Sequence, residues 1–342
     1  MNLNMQIDDI KPISNVANLA PLGFLEIKNV ESFLSIAHFF GTTKKRCGIY
    51  CLSFATGHFY IGQAIDVVRR FSEHRQNYLD IVGFSFIESS KALLNDREKE
   101  LIYKAEAMGL KLKNAIHVSS ILGDTDLDDV VSPKEQEDWL AAISGQDFIG
   151  GECEPKIILP QNQQDRFSKS FDQYLGHPLE KYATSLLKQY ISKCIPFPRS
   201  TEYSFWSVSC MPSTNVSTWP RLFCVNAASM EIFIVGWVKK TNNLWAFMTV
   251  DAEVLSQYWP EPEVFLEHFP SVQFIERGYR DAGQNQITLA CDEDARMDLL
   301  LADPGVIHAA ASLALRVMRK RSNFYMQYHC TQLSNHLFSR SS

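Results

Sequence analysis

Apolar and polar positions change period repeatedly between residues 47 and 114. Cys47 to Phe54 and His58 to Gly62 are short apolar runs parted by Ala55-Thr56-Gly57, which predicts two antiparallel strands joined by a hairpin turn. Alternation sets Tyr50 with Gly48 and Leu52, and Tyr60 with His58 and Gly62. If those faces coincide, the phenols stand side by side over a surface cleared by two glycines. Asp66 then offers an N-cap, and Val67, Phe71 and Tyr78 mark the inner stripe of a helix. Arg70 and His74 lie four apart and project together beside that stripe. Val82 to Glu88 alternates as a third strand. A second helix, from about Lys91 to Met108, turns Leu94, Leu101, Ile102 and Ala105 inward.

Upstream, Phe33, Ile36, Ala37 and Phe40 recur at helical spacing and Gly41 follows, which predicts a helix from about Val30 to Phe40. Downstream, Gly123 to Asp129 is an acidic stretch that lacks the glycine and glutamate spacing of a calcium loop and reads as linker. Ser132-Pro-Lys-Glu135 is a capping box opening a short helix to about Ile143; Ser144-Gly145 would end it and Gly150-Gly151 would mark a domain boundary. Leu179 to Cys194 is helical in period. Tyr203–Cys210, Arg221–Val225, Glu231–Val238 and Leu244–Val250 read as an antiparallel meander, with Ile287 to Cys291 as a further strand and a helix from Val306 to about Arg321. The segment around Trp259 to Pro270 reads as loop or short helix. The expected class is therefore α+β in four parts: a helical extension over 1–43, a three-stranded antiparallel sheet flanked by helices over 44–122, an acidic linker and short helix over 123–150, and a C-terminal α+β domain over 151–342.

Glu98 changes this picture from packing to chemistry. It falls between Leu94 and Ile102 on an apolar face, where a carboxylate is costly unless donors or a cation meet it. One reading is an ion pair with a nearby Arg or Lys. The other is a site, because two tyrosines, an arginine and a histidine are expected on the same small unit. Net charge is −6 over 342 residues, yet residues 44–114 hold twelve Lys or Arg against eight Asp or Glu, about +4, leaving −10 elsewhere. A locally basic unit in an acidic chain suits phosphate binding at one face. No apolar run approaches a membrane span and the start shows no secretory leader. Eight scattered cysteines, among them Cys47, Cys51, Cys210 and Cys224, form no framework and read as reduced thiols of a cytoplasmic protein.

Residues 48 to 114 resemble the GIY-YIG endonuclease family, through Gly48-Ile49-Tyr50, Tyr60-Ile61-Gly62, Arg70, His74, Glu98 and Asn114 in order and at workable spacing. The resemblance covers about a fifth of the chain, and Gln63 departs from the Ser or Lys of many relatives. It implies a DNA endonuclease with one divalent cation, Mg²⁺ or Mn²⁺, on Glu98, water and a phosphate oxygen. It also implies that Arg70 holds the scissile phosphate, that a tyrosine with a lowered pKa acts as base, and that His74 accepts a hydrogen bond or relays the proton. Tyr50 is the first choice for base and Tyr60 the second. Lys45, Arg46, Gln63, Arg69 and Asn114 are expected beside the substrate, Asn114 more as an anchor than a participant.

One metal and one strand per site imply a homo-oligomer or two events for a double-strand break. The C-terminal domain is expected to select the target or to take a regulatory partner or ligand; Trp206, Trp219, Trp237, Trp245 and Trp259 could form a stacking surface or pack the core. The cluster Arg316, Arg319, Lys320 and Arg321, followed by Phe324, Tyr325 and Tyr328, could touch DNA or simply complement a helix end. Restriction or anti-phage defence, repair and mobile-element cutting all suit the resemblance. The rival class is a catalytically silent nucleic-acid-binding or ligand-sensing protein.

Overall fold

The computed structural model describes residues 19–41, 45–114, 117–121, 123–143, 160–291 and 297–338. The chain divides into two compact units at residue 122. The first holds a four-stranded antiparallel sheet in the order β1-β4-β2-β3, with β1 at Lys28–Asn29, β2 at Gly48–Phe54, β3 at Phe59–Ala64 and β4 at Ile81–Glu88. Helix α1 spans Val67–Asn77, and the Asp66 carboxylate accepts the N–H groups of Val68 and Arg69 as its cap. Helix α2 spans Leu94–Ala107.

The two helices cover opposite faces of this sheet. Tyr50, Leu52 and Phe84 pack with Val67 and Phe71 of α1, whereas Ile49, Cys51 and Ile61 pack with Leu94, Ile102 and Ala105 of α2. A fully buried side chain such as Phe71 contributes about 1.5–3 kcal/mol, and it is this two-sided burial that fixes which strand face each tyrosine takes.

The predicted helix over 30–40 is absent. Only a single 3-10 turn forms, at Ala37–Phe39, while Val30, Ile36 and Phe40 are buried as separate plugs on the sheet. The reason is tertiary. The Val30 N–H donates to the Val82 carbonyl, and buried Arg75 donates to the carbonyls of Val30 (2.6 Å) and Ile81 (3.0 Å), so the chain is pinned beside β4 at Val30 and turns there, with the Phe33 N–H donating back to the Val30 carbonyl. The short strand β1 is the fourth strand that the three-stranded expectation lacked.

The second unit is built on a six-stranded antiparallel sheet, order β5-β6-β7-β8-β10-β9. Its strands are Trp206–Cys210, Arg221–Ala227, Met230–Trp237, Leu244–Val250, Val272–Ile275 and Ile287–Cys291, numbered β5 to β10 in chain order. The meander is as expected; the segment from Trp259 to Pro270 holds a short helix, Pro262–His268, and β9 just beyond it was not foreseen. The helices are α3 (Pro133–Ala142), α4 (Ser168–Leu175), α5 (Glu180–Cys194), α6 (Ala252–Tyr258), α7 (Pro262–His268), α8 (Pro304–Met318) and α9 (Thr331–Phe338), besides single turns. The core packs Phe223, Val225 and Phe233 against Leu187 of α5 and Leu313 of α8.

The acidic linker is a correction. Leu127 is wholly buried and Trp139 of α3 nearly so, both in the core of the second unit. The Ser132–Glu135 capping box forms as read, and Thr125 with Asp128 makes another. The arginines of the basic cluster are taken up by carboxylates of the same unit: Arg316 pairs with Asp251 at 2.9 Å, Arg319 with Asp128 at 3.7 Å and Arg321 with Asp281. The readings at Ser144-Gly145 and Gly150-Gly151 lie outside the described residues.

Candidate active site at the edge of the first sheet

Register decides where the phenols meet. Tyr50 on β2 stands opposite Gly62 on β3, and Tyr60 opposite Leu52, so the two tyrosines are diagonal neighbours on one face. Their rings stack with centroids 6.1 Å apart and planes 28° from parallel. Gly62 makes this packing fit: a Cβ there would lie 2.5 Å from the Tyr50 hydroxyl and 2.7 Å from the Tyr60 ring. Gly48 does a different job from the one expected. Its missing Cβ leaves room for the Ile87 carbonyl and the Phe86 ring on β4, so only one glycine underlies the phenols.

Helix α1 supplies the next two groups from adjacent turns. The Tyr50 hydroxyl lies 2.7 Å from His74 Nε2, and the Tyr60 and His74 ring centroids are 4.7 Å apart. Arg70 lies close enough to act electrostatically on both phenols, and its Nη1 donates to Glu73 at 2.8 Å. That Arg70–Glu73 pair is partly open to water, where such pairs contribute little, so the guanidinium can exchange its partner at small cost.

Glu98 reaches the same place from the opposite helix by gripping the outer edge of β3. Its Oε1 accepts the Gln63 backbone N–H at 3.2 Å and its Oε2 the Gln63 side-chain amide at 2.8 Å. The Gln63 amide also donates to Asn95 at 2.6 Å. The carboxylate is half-buried and close enough to act electrostatically on both phenols.

The rest of that strand edge is closed by backbone mimicry. Asn114 accepts the Ile61 N–H at 3.0 Å and donates to the Ile61 carbonyl at 2.6 Å, while Phe59 exchanges hydrogen bonds with Lys111 and Lys113. Asn114 therefore blunts an edge strand, a structural duty, and takes no part in the cluster.

Protonation follows from burial. His74 is pushed down to about 4, first by desolvation and then by the Arg70 charge, so it is neutral near pH 7. Burial pushes the Tyr50 phenol well above its ordinary value, and neighbouring Tyr60 and Glu98 push the same way; Arg70 pulls it down without prevailing. Tyr60 is likewise raised, by burial first. The expectation of a phenol with a depressed pKa is thus not met by the protein groups alone. With Tyr50 protonated and His74 neutral, the phenol donates and Nε2 accepts, which places the imidazole proton on Nδ1.

No family model, curated protein or solved structure matches this chain.

Five of the ten expected residues converge: Tyr50, Tyr60, Arg70, His74 and Glu98. Gln63 joins them through Glu98. Lys45, Arg46 and Arg69 lie on the surface with carboxylate partners Glu88, Asp66 and Glu73, at 2.8, 3.8 and 3.5 Å. Asn95 and Glu73 were not foreseen, although Glu73 sits three residues after Arg70 on a helix and could have been paired with it.

A divalent cation can be tested against these donors. Among the described residues no group of three or more His, Cys, Asp or Glu could hold a metal. A Mg²⁺ that keeps several waters and takes one carboxylate plus substrate phosphate oxygens needs no such group. Glu98 supplies one such carboxylate, half-buried and held in place by Gln63 through both oxygens. The donor set fits a hydrated hard cation on Glu98.

Proposed function

We propose that the first unit is a divalent-metal-dependent endonuclease that hydrolyses phosphodiester bonds in DNA, of the GIY-YIG kind. One observation supports this above the others: two stacked phenols, one bonded to a neutral imidazole, share a sheet edge with a guanidinium and a half-buried carboxylate.

In this reading Arg70 leaves Glu73 and grips the scissile phosphate, which its planar fork suits. Tyr50 orients the attacking water or takes its proton, and passes its own phenol proton to His74 Nε2, already 2.7 Å away and neutral. That hand-over removes the need for a strongly acidic phenol. Tyr60 walls the site and can exchange roles with Tyr50. A cation held by Glu98 would neutralise developing charge on the phosphate and stabilise the leaving oxygen. Gln63 holds the Glu98 carboxylate in position. The proposal extends to a cytoplasmic enzyme acting in defence, repair or mobile-element cutting, with two copies or two events per double-strand break. Among the described residues no helix is long and apolar enough to cross a membrane.

A second reading has an observation of its own. Glu98 caps a backbone N–H of an edge strand, a role that a silent nucleic-acid-binding module would also need. The separating experiment is incubation of the purified protein with plasmid, single-stranded DNA and RNA, with and without Mg²⁺ or Mn²⁺. Metal-dependent cleavage of DNA supports the enzyme; binding without cleavage on every substrate supports the silent module.

A further inference from the structure

The second unit holds a hollow of about 570 Å³, within the range of small-ligand sites. It opens beside β5 and β6, at the strand face opposite the main core. Strand alternation makes the contrast plain. Val225 and Ala227 point into the core with α5 and α8, while Cys224 and Asn226 point the other way and line the hollow. Both are 2% exposed, and Ser209 beside them is 9% exposed. Asn226 Nδ2 donates to Ser209 Oγ at 3.4 Å, and the Cys224 thiol to Asn226 Oδ1 at 3.3 Å. Hydrogen bonding among them meets the cost of burying polar groups in mid-strand and gives the hollow a polar floor.

Charge narrows the ligand. Arg221 lines the hollow with its side chain 11% exposed and is paired with Glu231. Arg277 shares that same carboxylate at 3.7 Å, and Arg166 stands exposed at the rim, donating to the Gln327 carbonyl at 3.0 Å. Glu231 thus meets two guanidiniums and the Tyr279 hydroxyl, the latter at 3.5 Å, while the residues lining the hollow include Arg166 and Arg221 against Glu231 as their one acidic side chain. The Arg221 Nε is buried and has no hydrogen-bond partner among the described residues. This excess suits an anionic group, which Arg recognises in a fixed geometry.

Shape narrows it further. Tyr325 and Tyr328, ring centroids 6.5 Å apart, stand with Phe167 on the wall, offering faces for a planar ring. Among the described residues no tryptophan lines this wall, and core packing, the alternative to a stacking surface, describes Trp206 and Trp259. Trp206 is wholly buried and bonded to the Pro198 carbonyl, and Trp259 bonds Asp303.

We propose that this hollow binds a small anion carrying a planar heteroaromatic ring, of nucleoside monophosphate size, with the phosphate towards Arg166 and Arg221 and the ring against Tyr325 and Tyr328. The assignment stands whether or not the first unit is a nuclease.

Calorimetric titration of the full chain with AMP, GMP, CMP and UMP tests it, with ribose 5-phosphate, adenosine and a single-stranded oligonucleotide alongside. At least one nucleotide binds, and removing either its ring or its phosphate weakens binding about tenfold or more. Arg166→Ala and Tyr328→Ala alter exposed rim residues, so both keep the parent melting temperature while weakening that nucleotide to a similar degree. Binding by none of the four, equal binding of ribose 5-phosphate or adenosine, or affinities unchanged in both variants would overturn the proposal. An oligonucleotide that binds more tightly than every mononucleotide, with the same sensitivity to the variants, would make the hollow a reader of polymer bases and overturn the small-molecule assignment.

Discussion

Two polar clusters, one in each unit, are built on opposite principles. Around Glu202, every partner is internal. Arg199 donates at 2.6 Å, Ser334 at 2.5 Å and His329 Nε2 at 3.0 Å, while His329 Nδ1 accepts the Val208 N–H at 3.2 Å. Arg199, Glu202, His329 and Ser334 are all buried. Burial works to raise the Glu202 pKa, but these donors and the Arg199 charge hold it below its ordinary value. Such a closed network ties the chain's end to its middle and leaves no room for a reactant. Around Tyr50 the pattern is reversed. Arg70 is paired with a partly exposed partner, Tyr50 is buried and Tyr60 half-buried with both phenols protonated, and Glu98 lies half-buried at a strand edge. The contrast separates a closed buried network from a cluster whose charged members are partly open to water.

Breaking the closed network gives the largest expected effect. Glu202→Ala strands buried Arg199 and costs about 3–5 kcal/mol, read as a lowered urea midpoint, whereas Arg70→Ala shifts that midpoint by about 0.5 kcal/mol or less. On the nuclease reading, His74→Ala slows single-turnover DNA cleavage by about 10²–10⁴-fold while the chain stays folded. A melting curve that collapses in His74→Ala would move this residue into the structural class.

Gly62→Ala is smaller. The new methyl must displace the Tyr50 hydroxyl or the Tyr60 ring, and a shift of about 1 Å in a reacting group costs on the order of 10²-fold in rate. A variant of normal stability and unchanged rate would show that the tyrosines need not stack. The smallest effect is in pH. The His74 pKa falls from 6.5 in the unfolded chain to about 4 in the folded one. The unfolded chain therefore binds the extra proton in that window. The stabilising contribution is whole above pH 6.5 and is lost as pH falls towards 4. Urea midpoints taken across the window should fall less steeply in His74→Gln than in the parent.

The first unit was readable because two periods agree there with local signals. Asp66 caps α1, the strand alternation puts both tyrosines on one face, and Glu98 stands out against leucines. What the chain could not disclose is where an edge lies. Nothing in the spacing shows that β3 borders the sheet, so neither the grip of Glu98 on Gln63 nor the mimicry by Asn114 could be foreseen. The spacing of Phe33, Ile36, Ala37 and Phe40 misled for a related reason: buried Arg75 donates to the Val30 carbonyl and fixes the start of the segment beside β4, and that outweighs helical periodicity. Arg75 itself carried a signal, four residues after Phe71 on the buried stripe. In the second unit the meander was plain from turn residues, whereas the hollow is assembled from segments as distant as Arg166, Asn226 and Tyr328, which no local pattern connects.

On the nuclease reading, Glu98 serves chemistry first and strand capping second. Plasmid nicking by the parent and by Glu98→Ala, each with Mg²⁺ and with a chelator, tests it most directly when melting curves are taken on the same samples. The expected result is metal-dependent nicking by the parent and none by a variant that melts within a few degrees of it. Nicking retained by the variant, or a parent inert with metal, would contradict it.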